Sequence, residues 1–194
     1  NLDDNGGTAA TYDVWGAQLE ALSYATSYIP TNGAIATRLA DSVTGAGDAT
    51  TFNSTEGVLY AEIAALADDG TNKYISINNG GTTDYLFFRY RSDNNFQVRY
   101  RSNNVDSLNQ VLTLSDNLDF NKIAVSYKLN EFKIFVNGSQ IGSTITSGNT
   151  FNSIVNDLSF RSFNNTAPFT GKVKSVITFD TALTDAELQC LTTI

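Results

Sequence analysis

From about residue 50 onward, apolar and polar positions alternate with a period of two in short runs, and clusters of Gly, Asn, Asp and Ser separate the runs. The clearest run is Asn121 to Gly142. There Val125 and Tyr127 alternate with Ser126 and Lys128, Leu129-Asn130-Glu131 makes a turn, and Phe132, Ile134 and Val136 alternate with Lys133, Phe135 and Asn137. Asn137-Gly138 then predicts a type I′ turn, because both of its central positions need positive φ. A meander of this kind cannot bury its apolar face alone, so a second sheet must cover it.

The remaining runs supply that sheet. Gly57 to Leu66 is a long strand candidate, with helix as the competing reading because Ala, Leu and Glu favour it. Asp68-Asp69-Gly70 turns the chain into Lys73 to Asn78, and Asn79-Gly80-Gly81 turns it again. Short strands are predicted over Leu108 to Leu114, over Asn156 to Phe163 (Leu158, Phe160 and Ser162 against Ser159, Arg161 and Phe163) and over Gly171 to Phe179. Thr184-Asp185-Ala186-Glu187 is a capping box in front of Leu188 and Leu191, which predicts a short helix near the C-terminal end.

Asp84 to Arg101 is the hairpin with most to say about function. If Phe88 and Tyr90 share a face with Phe96, Val98 and Tyr100, the connection around Asp93-Asn94 has an odd number of residues. The opposite face then carries Tyr85, Phe87, Arg89 and Arg91 beside Gln97, Arg99 and Arg101.

Residues 1–47 have a different texture: DDNGG, one strand-like run over Thr11 to Glu20, a Ser/Thr/Ala-rich passage with Tyr24, Tyr28 and Pro30, then small residues to Gly47. This reads as an extended arm with one strand, or a linker, ahead of a sandwich over 48–194. Trp15, the one tryptophan, is expected to anchor the arm onto a sheet.

Composition narrows the chemistry. The net charge of -8 opposes nucleic acid and anionic lipid, so no nucleic-acid partner is expected. No run of eighteen apolar residues or leader-like segment occurs, so no membrane insertion is expected either. The single cysteine, Cys190, excludes an internal disulfide and is expected as a buried small hydrophobe. Histidine is absent, which removes Ser-His and Cys-His nucleophile mechanisms and histidine metal sites.

Two stretches carry a family resemblance. Ile123 to Gly142 resembles the paired strands of the concanavalin A-like, laminin-G-like jelly rolls. Gly171 to Leu191 resembles the same family's closing segment, through Gly171, Val173, Val176, Ile177, Phe179, Ala182, Leu183, Thr184, Glu187, Leu188 and Leu191. The resemblance covers roughly residues 50 to 194. It implies an all-β, two-sheet antiparallel jelly-roll sandwich with a short C-terminal helix, but it says little of function, since this superfold hosts lectins, glycanases and adhesion modules. In the arm, Trp15-Gly16-Ala17-Gln18-Leu19-Glu20, Ala25-Thr26-Ser27-Tyr28-Ile29-Pro30-Thr31 and Thr37-Arg38 resemble a stretch near domain junctions of phage tail and virion surface proteins. That likeness implies a C-terminal piece of a longer chain.

Sandwich glycanases of this superfamily place carboxylates at alternating positions of one strand. Here Glu56, Glu62, Glu131 and Glu187 are scattered, and the alginate-lyase pattern fails for want of histidine, so a non-catalytic module is expected. No cofactor is required. Ca²⁺ is the one metal the family leaves open, at Asp68-Asp69, Asp93-Asn94, Asp116 or Asn164-Asn165, though no spacing selects a site. The best ligand candidate is the face of Tyr85, Phe87, Arg89, Gln97, Arg99 and Arg101. Rings offer flat surfaces to a sugar, and guanidinium forks and amides bond hydroxyls, carboxylates or sulfates. The competing readings are Arg stems packed over the rings on a solvated face, or a surface paired with a neighbouring subunit. The expected role is a carbohydrate- or receptor-binding surface module of a phage tail fibre or virion decoration. Its partners would be a glycan or cell-surface receptor, other virion proteins and further copies in a homo-oligomer, at a virion surface or extracellular location. The alternatives are a purely architectural virion protein and an adhesion or carbohydrate-binding domain of a secreted bacterial protein.

Overall fold

Ten strands and one helix form within the described residues, 13–20, 27–37 and 46–194 of this computed structural model. In chain order they are β1 (Glu56–Ala65), β2 (Lys73–Asn78), β3 (Tyr85–Tyr90), β4 (Phe96–Ser102), β5 (Val105–Leu112), β6 (Asn121–Lys128), β7 (Glu131–Val136), β8 (Ser139–Gln140), β9 (Asp157–Ser159), β10 (Gly171–Phe179) and α1 (Asp185–Thr192). The chain divides into two units, Asn1–Leu39 and Ala40–Ile194. The second is the jelly roll, two five-stranded antiparallel sheets in the orders β10-β1-β6-β7-β8 and β5-β4-β3-β2-β9.

The meander forms β6, β7 and β8 in sequence. Ile123, Val125, Tyr127, Phe132, Ile134 and Val136 all lie in the core cluster, as the alternation requires. The turn after β7 has Asn137 at φ 48° and Gly138 at φ 82°, both in the left-handed region that a type I′ turn needs. Asn137 also fixes this turn through its side chain, which accepts from Lys122 N–H (2.9 Å) and donates to Asn121 Oδ1 (2.9 Å). Residues 56–65 form a strand, not the competing helix. Val58, Leu59, Tyr60 and Ala61 are all buried, because α1 covers the outer face of this sheet while the second sheet covers the inner one.

The inner faces meet in an aromatic core. Tyr100 stacks on Phe151 at 4.2 Å and meets Phe132 at 5.0 Å. The buried hydroxyls of Tyr90 and Tyr127 donate to the carbonyls of Ile63 (3.1 Å) and Asn53 (2.7 Å), which removes the cost of burying them bare. On the opposite side of the first sheet, α1 lays Leu188 against Val58, Tyr60, Ala124 and Phe135. Its start is the expected capping box: Thr184 Oγ1 accepts from Glu187 N–H, and the Glu187 carboxylate accepts from Thr184 N–H. Cys190 departs from expectation. It is exposed, because Leu188 turns inward and a residue two positions further along a helix points away.

Three sequence-based elements change. Only Asp157–Ser159 of the predicted 156–163 strand pairs as a strand; beyond it the chain folds back, with Arg161 bridged to Pro168 and Phe169 N–H donating to Phe160 O (2.9 Å). The strand expected near 108–114 begins earlier, at Val105. The arm strand is absent from residues 13–20, while residues 11 and 12 lie outside the described residues. Gly16 at φ 71° breaks the extended run, and the pairing there is a side-chain one, with Ile29 N–H donating to Gln18 Oε1 at 2.7 Å. Trp15 meets Tyr28 edge-on at 6.0 Å inside the arm. Ala46 already bridges to Leu158, ahead of residue 48. No helix among the described residues is long and apolar enough to cross a membrane.

Close approach of backbone to side chain fixes Gly57. A Cβ there would lie 2.6 Å from Phe179 O and 2.7 Å from Tyr127 Oη, and the carbonyl belongs to the neighbouring strand. Gly57→Ala is therefore expected to cost about 1–3 kcal/mol in urea unfolding, the range for overpacking a close-packed site. A loss of only a few tenths would show that β1 and its neighbours β6 and β10 yield more easily than this contact implies.

Candidate functional site

The β3–β4 register sets the candidate face. Tyr85 pairs with Arg101, Phe87 with Arg99, Arg89 with Gln97 and Tyr90 with Phe96, so the intervening loop holds an odd number of residues as expected. Leu86, Phe88, Tyr90, Phe96, Val98 and Tyr100 enter the core. Tyr85, Phe87, Arg89, Gln97, Arg99 and Arg101 consequently share the outer face. Arg91 leaves it: beyond the end of β3, it makes a two-pronged bond to Asp93 in the loop, 2.8–3.1 Å.

The face is built in layers. Tyr85 is 1% exposed and Phe87 2%, so the rings are not an open stacking platform. Phe163, from the hairpin after β9, lies flat on Tyr85 with centroids 3.9 Å apart and planes 8° from parallel. Tyr74 meets Phe87 edge-on at 5.1 Å. Guanidinium groups complete the cover: Arg99 and Arg101 lie 5.9 and 5.7 Å from the Tyr85 ring, and Arg89 lies 5.5 Å from Tyr74 and 5.8 Å from Phe87. Such cation–π contacts contribute on the order of 0.5–1 kcal/mol each and orient the head groups. The apolar stems and rings are therefore structural, and the polar heads form the exposed layer. Burial pushes the Tyr85 hydroxyl above its ordinary pKa despite the two arginines beside it.

The polar layer is partly satisfied from within. Arg99 donates from Nε (3.0 Å) and Nη2 (2.7 Å) to both oxygens of Asp106, and Arg101 donates from Nε (2.7 Å) to the same carboxylate. Gln97 Nε2 donates to Asn109 Oδ1 at 2.6 Å, and Arg89 Nη1 donates to Tyr74 Oη at 2.8 Å. Two atoms are left over. Arg89 Nε and Gln97 Oε1, on residues directly opposite each other, are buried without a hydrogen-bond partner. A bare buried donor or acceptor costs about 1–3 kcal/mol. Asp106 was not legible as a member of the face, because its position depends on a bulge in the β4–β5 pairing.

The scattered glutamates each have a structural partner in a different place. Glu56 accepts from Ala182 N–H (3.2 Å), Glu62 pairs with Lys174 (2.8 Å), Glu131 pairs with Lys133 (3.3 Å), and Glu187 caps α1. The loop acids and amides weighed for Ca²⁺ are likewise engaged locally: Asp69 with Thr71 and Lys73, Asp93 with Arg91, Asp116 with Leu118 N–H, and Asn164 with the Ser162 and Thr166 hydroxyls. Among the described residues no three His, Cys, Asp or Glu side chains gather as a metal-holding group.

Comparisons with known proteins bear on the scaffold. Residues 41–189 match the family described as the Concanavalin A-like lectin/glucanases superfamily, Laminin_G_3. No curated protein matches the sequence significantly. Among solved structures, the CBM40 of a Ruminococcus gnavus IT-sialidase is similar at TM-score 0.63 and 15% identity, over 80% of this chain and 98% of that one. The same module bound to α2,3 sialyllactose gives TM-score 0.62 and 15% identity, over 79% and 97%. A leech intramolecular trans-sialidase complexed with 2,7-anhydro-Neu5Ac gives TM-score 0.56 and 17% identity over 73% of this chain, which spans only 24% of that enzyme. At these identities the likeness is one of fold.

Partial burial pushes the Asp106 carboxyl up, but hydrogen bonds from Arg99 and Arg101 outweigh it and hold the pKa below the ordinary carboxylate value. A carboxylate depressed in the folded state adds stability above its unfolded pKa of about 3.9, and that stability disappears as pH falls through the folded value. The Tm gap between the wild type and Asp106→Asn should thus be constant from about pH 8 to pH 5 and close progressively below about pH 4. A gap that survives unchanged into strong acid would show that charge pairing at Asp106 contributes nothing.

Proposed function

The chain belongs to the concanavalin A-like lectin/glucanase superfamily, and from that premise we propose that it is a non-catalytic carbohydrate-binding module that takes acidic glycans on the outer face of β3 and β4. The observation that carries this reading is the set of guanidinium groups of Arg89, Arg99 and Arg101, held together over buried rings in a chain whose net charge is -8. An acidic protein that gathers cations on one rigid face has built a local positive field, which attracts anions out of proportion to the overall charge.

A carboxylated sugar suits the face for three reasons. Its carboxylate matches the fork of an arginine in a planar, two-pronged bond. Its hydroxyls can both donate and accept, which suits the exposed Asn109 amide beside the arginine heads. The CBM40 module of the same fold is bound to sialyllactose, a ligand of this chemistry. Because the rings are covered, recognition here runs through polar heads, without sugar stacking. The virion-surface or extracellular setting, with neighbouring virion proteins or further copies as partners, is part of the same proposal and rests on the wording of the arm alone.

The test is titration of the protein with 3′-sialyllactose and with lactose at low and high salt. Binding of the acidic sugar only, weakened by salt, is expected. Arg89→Ala together with Arg99→Ala should reduce affinity by roughly tenfold or more, the loss anticipated when charge-assisted bonds are removed. Undiminished binding in the double variant would move the site elsewhere on the sandwich. Release of new reducing ends from polysaccharide would overturn the non-catalytic reading.

A further inference from the structure

The β4–β5 ladder contains an irregularity between Tyr100 and Arg101. Up to that point Arg99 pairs with Asn109 and Tyr100 with Leu108; past it, Arg101 pairs with Asp106 and Ser102 with Val105. In an uninterrupted ladder Arg101 would stand opposite Ser107. The extra residue instead turns Ser107 away, where its hydroxyl donates to Asn149 O (2.8 Å) and accepts from Asn149 N–H (2.9 Å). Asp106 is thereby brought opposite Arg101. Bulges are a general means of re-aiming one side chain without disturbing the sheet.

The re-aimed carboxylate bonds the two arginines unequally. Arg99 gives Nε and Nη2 to Asp106, whereas Arg101 gives Nε alone. Both guanidinium side chains are 24% exposed and the Asp106 side chain 27%, so the group reaches solvent. Beneath them Tyr85 is fixed by Phe163. Arg101 is therefore held from one edge by Asp106 and from one face by Tyr85, with its Nη1 and Nη2 bonded to neither.

We propose that Asp106 is the positioning residue of this face, holding Arg99 and Arg101 side by side so that the terminal Nη1 and Nη2 of Arg101 stand ready as a fork for the carboxylate of an acidic glycan. This rests on the reading of the face as a glycan site. Two neighbouring guanidinium groups repel each other and, on long flexible stems, would otherwise separate into water. A carboxylate between them cancels the repulsion and removes much of the ordering a ligand would have to impose. Simple electrostatics and positioning predict opposite signs here. Asp106→Asn makes the protein one unit less negative, so bulk attraction alone would tighten an anion; loss of the clamp loosens it.

The experiment compares the wild type, Asp106→Asn and Asp106→Glu by calorimetric titration with 3′-sialyllactose and with its carboxyl methyl ester, at a temperature where melting curves show every variant folded. Positioning predicts that Asp106→Asn lowers affinity for the acid by about tenfold, as loss of a charge-assisted clamp does, and shrinks the preference for the acid over the ester. Asp106→Glu is expected to restore part of both. In parallel, the Arg99 and Arg101 Nε–H proton signals should be protected from exchange in the free wild type and lose that protection in Asp106→Asn. Equal or tighter binding of the acid by Asp106→Asn, with the wild type binding normally, overturns the positioning role and leaves the glycan face standing. Failure of the wild type to bind either sugar removes the glycan face, and the proposal with it.

Discussion

Everything at the candidate face follows from the register between β3 and β4. The two strands are buried on both sides, so each of their residues has one allowed face, and a slip of one position would push the arginines into the aromatic core. The cost of burying several charges without partners exceeds what a domain has in reserve. The same pairing that closes the sandwich around Phe88, Phe96 and Tyr100 thus fixes where the cations of the opposite face must stand. Fold and face are one constraint, applied to alternate residues.

The outer face departs from the ordinary solvated side of a sheet because it carries a second, thin aromatic layer. Tyr74, Tyr85, Phe87 and Phe163 pack against one another, and the guanidinium groups of Arg89, Arg99 and Arg101 lie over Tyr74, Phe87 and Tyr85. A ring beneath a guanidinium limits the positions the head can take, and a carboxylate at its edge limits them further. Side chains that are usually mobile become part of the scaffold here. The resulting surface holds fixed donors at a solvent boundary, which favours recognition of a planar, charged group over the adaptable contacts of a bare Lys- or Arg-rich patch.

Most of this could be read from local alternation. The meander, the Asn137-Gly138 turn, the capping box at Thr184 and the division of residues 85–101 between two faces all follow from period-two patterning and turn chemistry, which are short-range. What escaped was long-range or irregular. Phe163 falls on the polar side of its own run, but nothing local shows that it will cover Tyr85, which lies far away in sequence. Asp106 enters through a single extra residue, and a bulge leaves no mark on an apolar–polar alternation. Cys190 follows helical geometry more closely than its own hydrophobicity. In the arm, one glycine at positive φ, Gly16, interrupts a run of β-forming side chains.

Neighbours with the same fold at about 15% identity imply that the two-sheet scaffold survives near-complete replacement of its surface. The core tolerates such exchange because burial asks only for apolar volume in the correct alternation. A recognition face asks for specific atoms at specific distances, so its members must be identified in each chain separately. In this chain the relevant distances are those around Asp106, all at or below 3.0 Å to the two arginines. A face already ordered to that degree has little left to rearrange when a ligand arrives. On the glycan reading proposed above, its affinity would be limited by the few contacts a single small sugar can make, and repetition of the face would be the physical route to strong attachment.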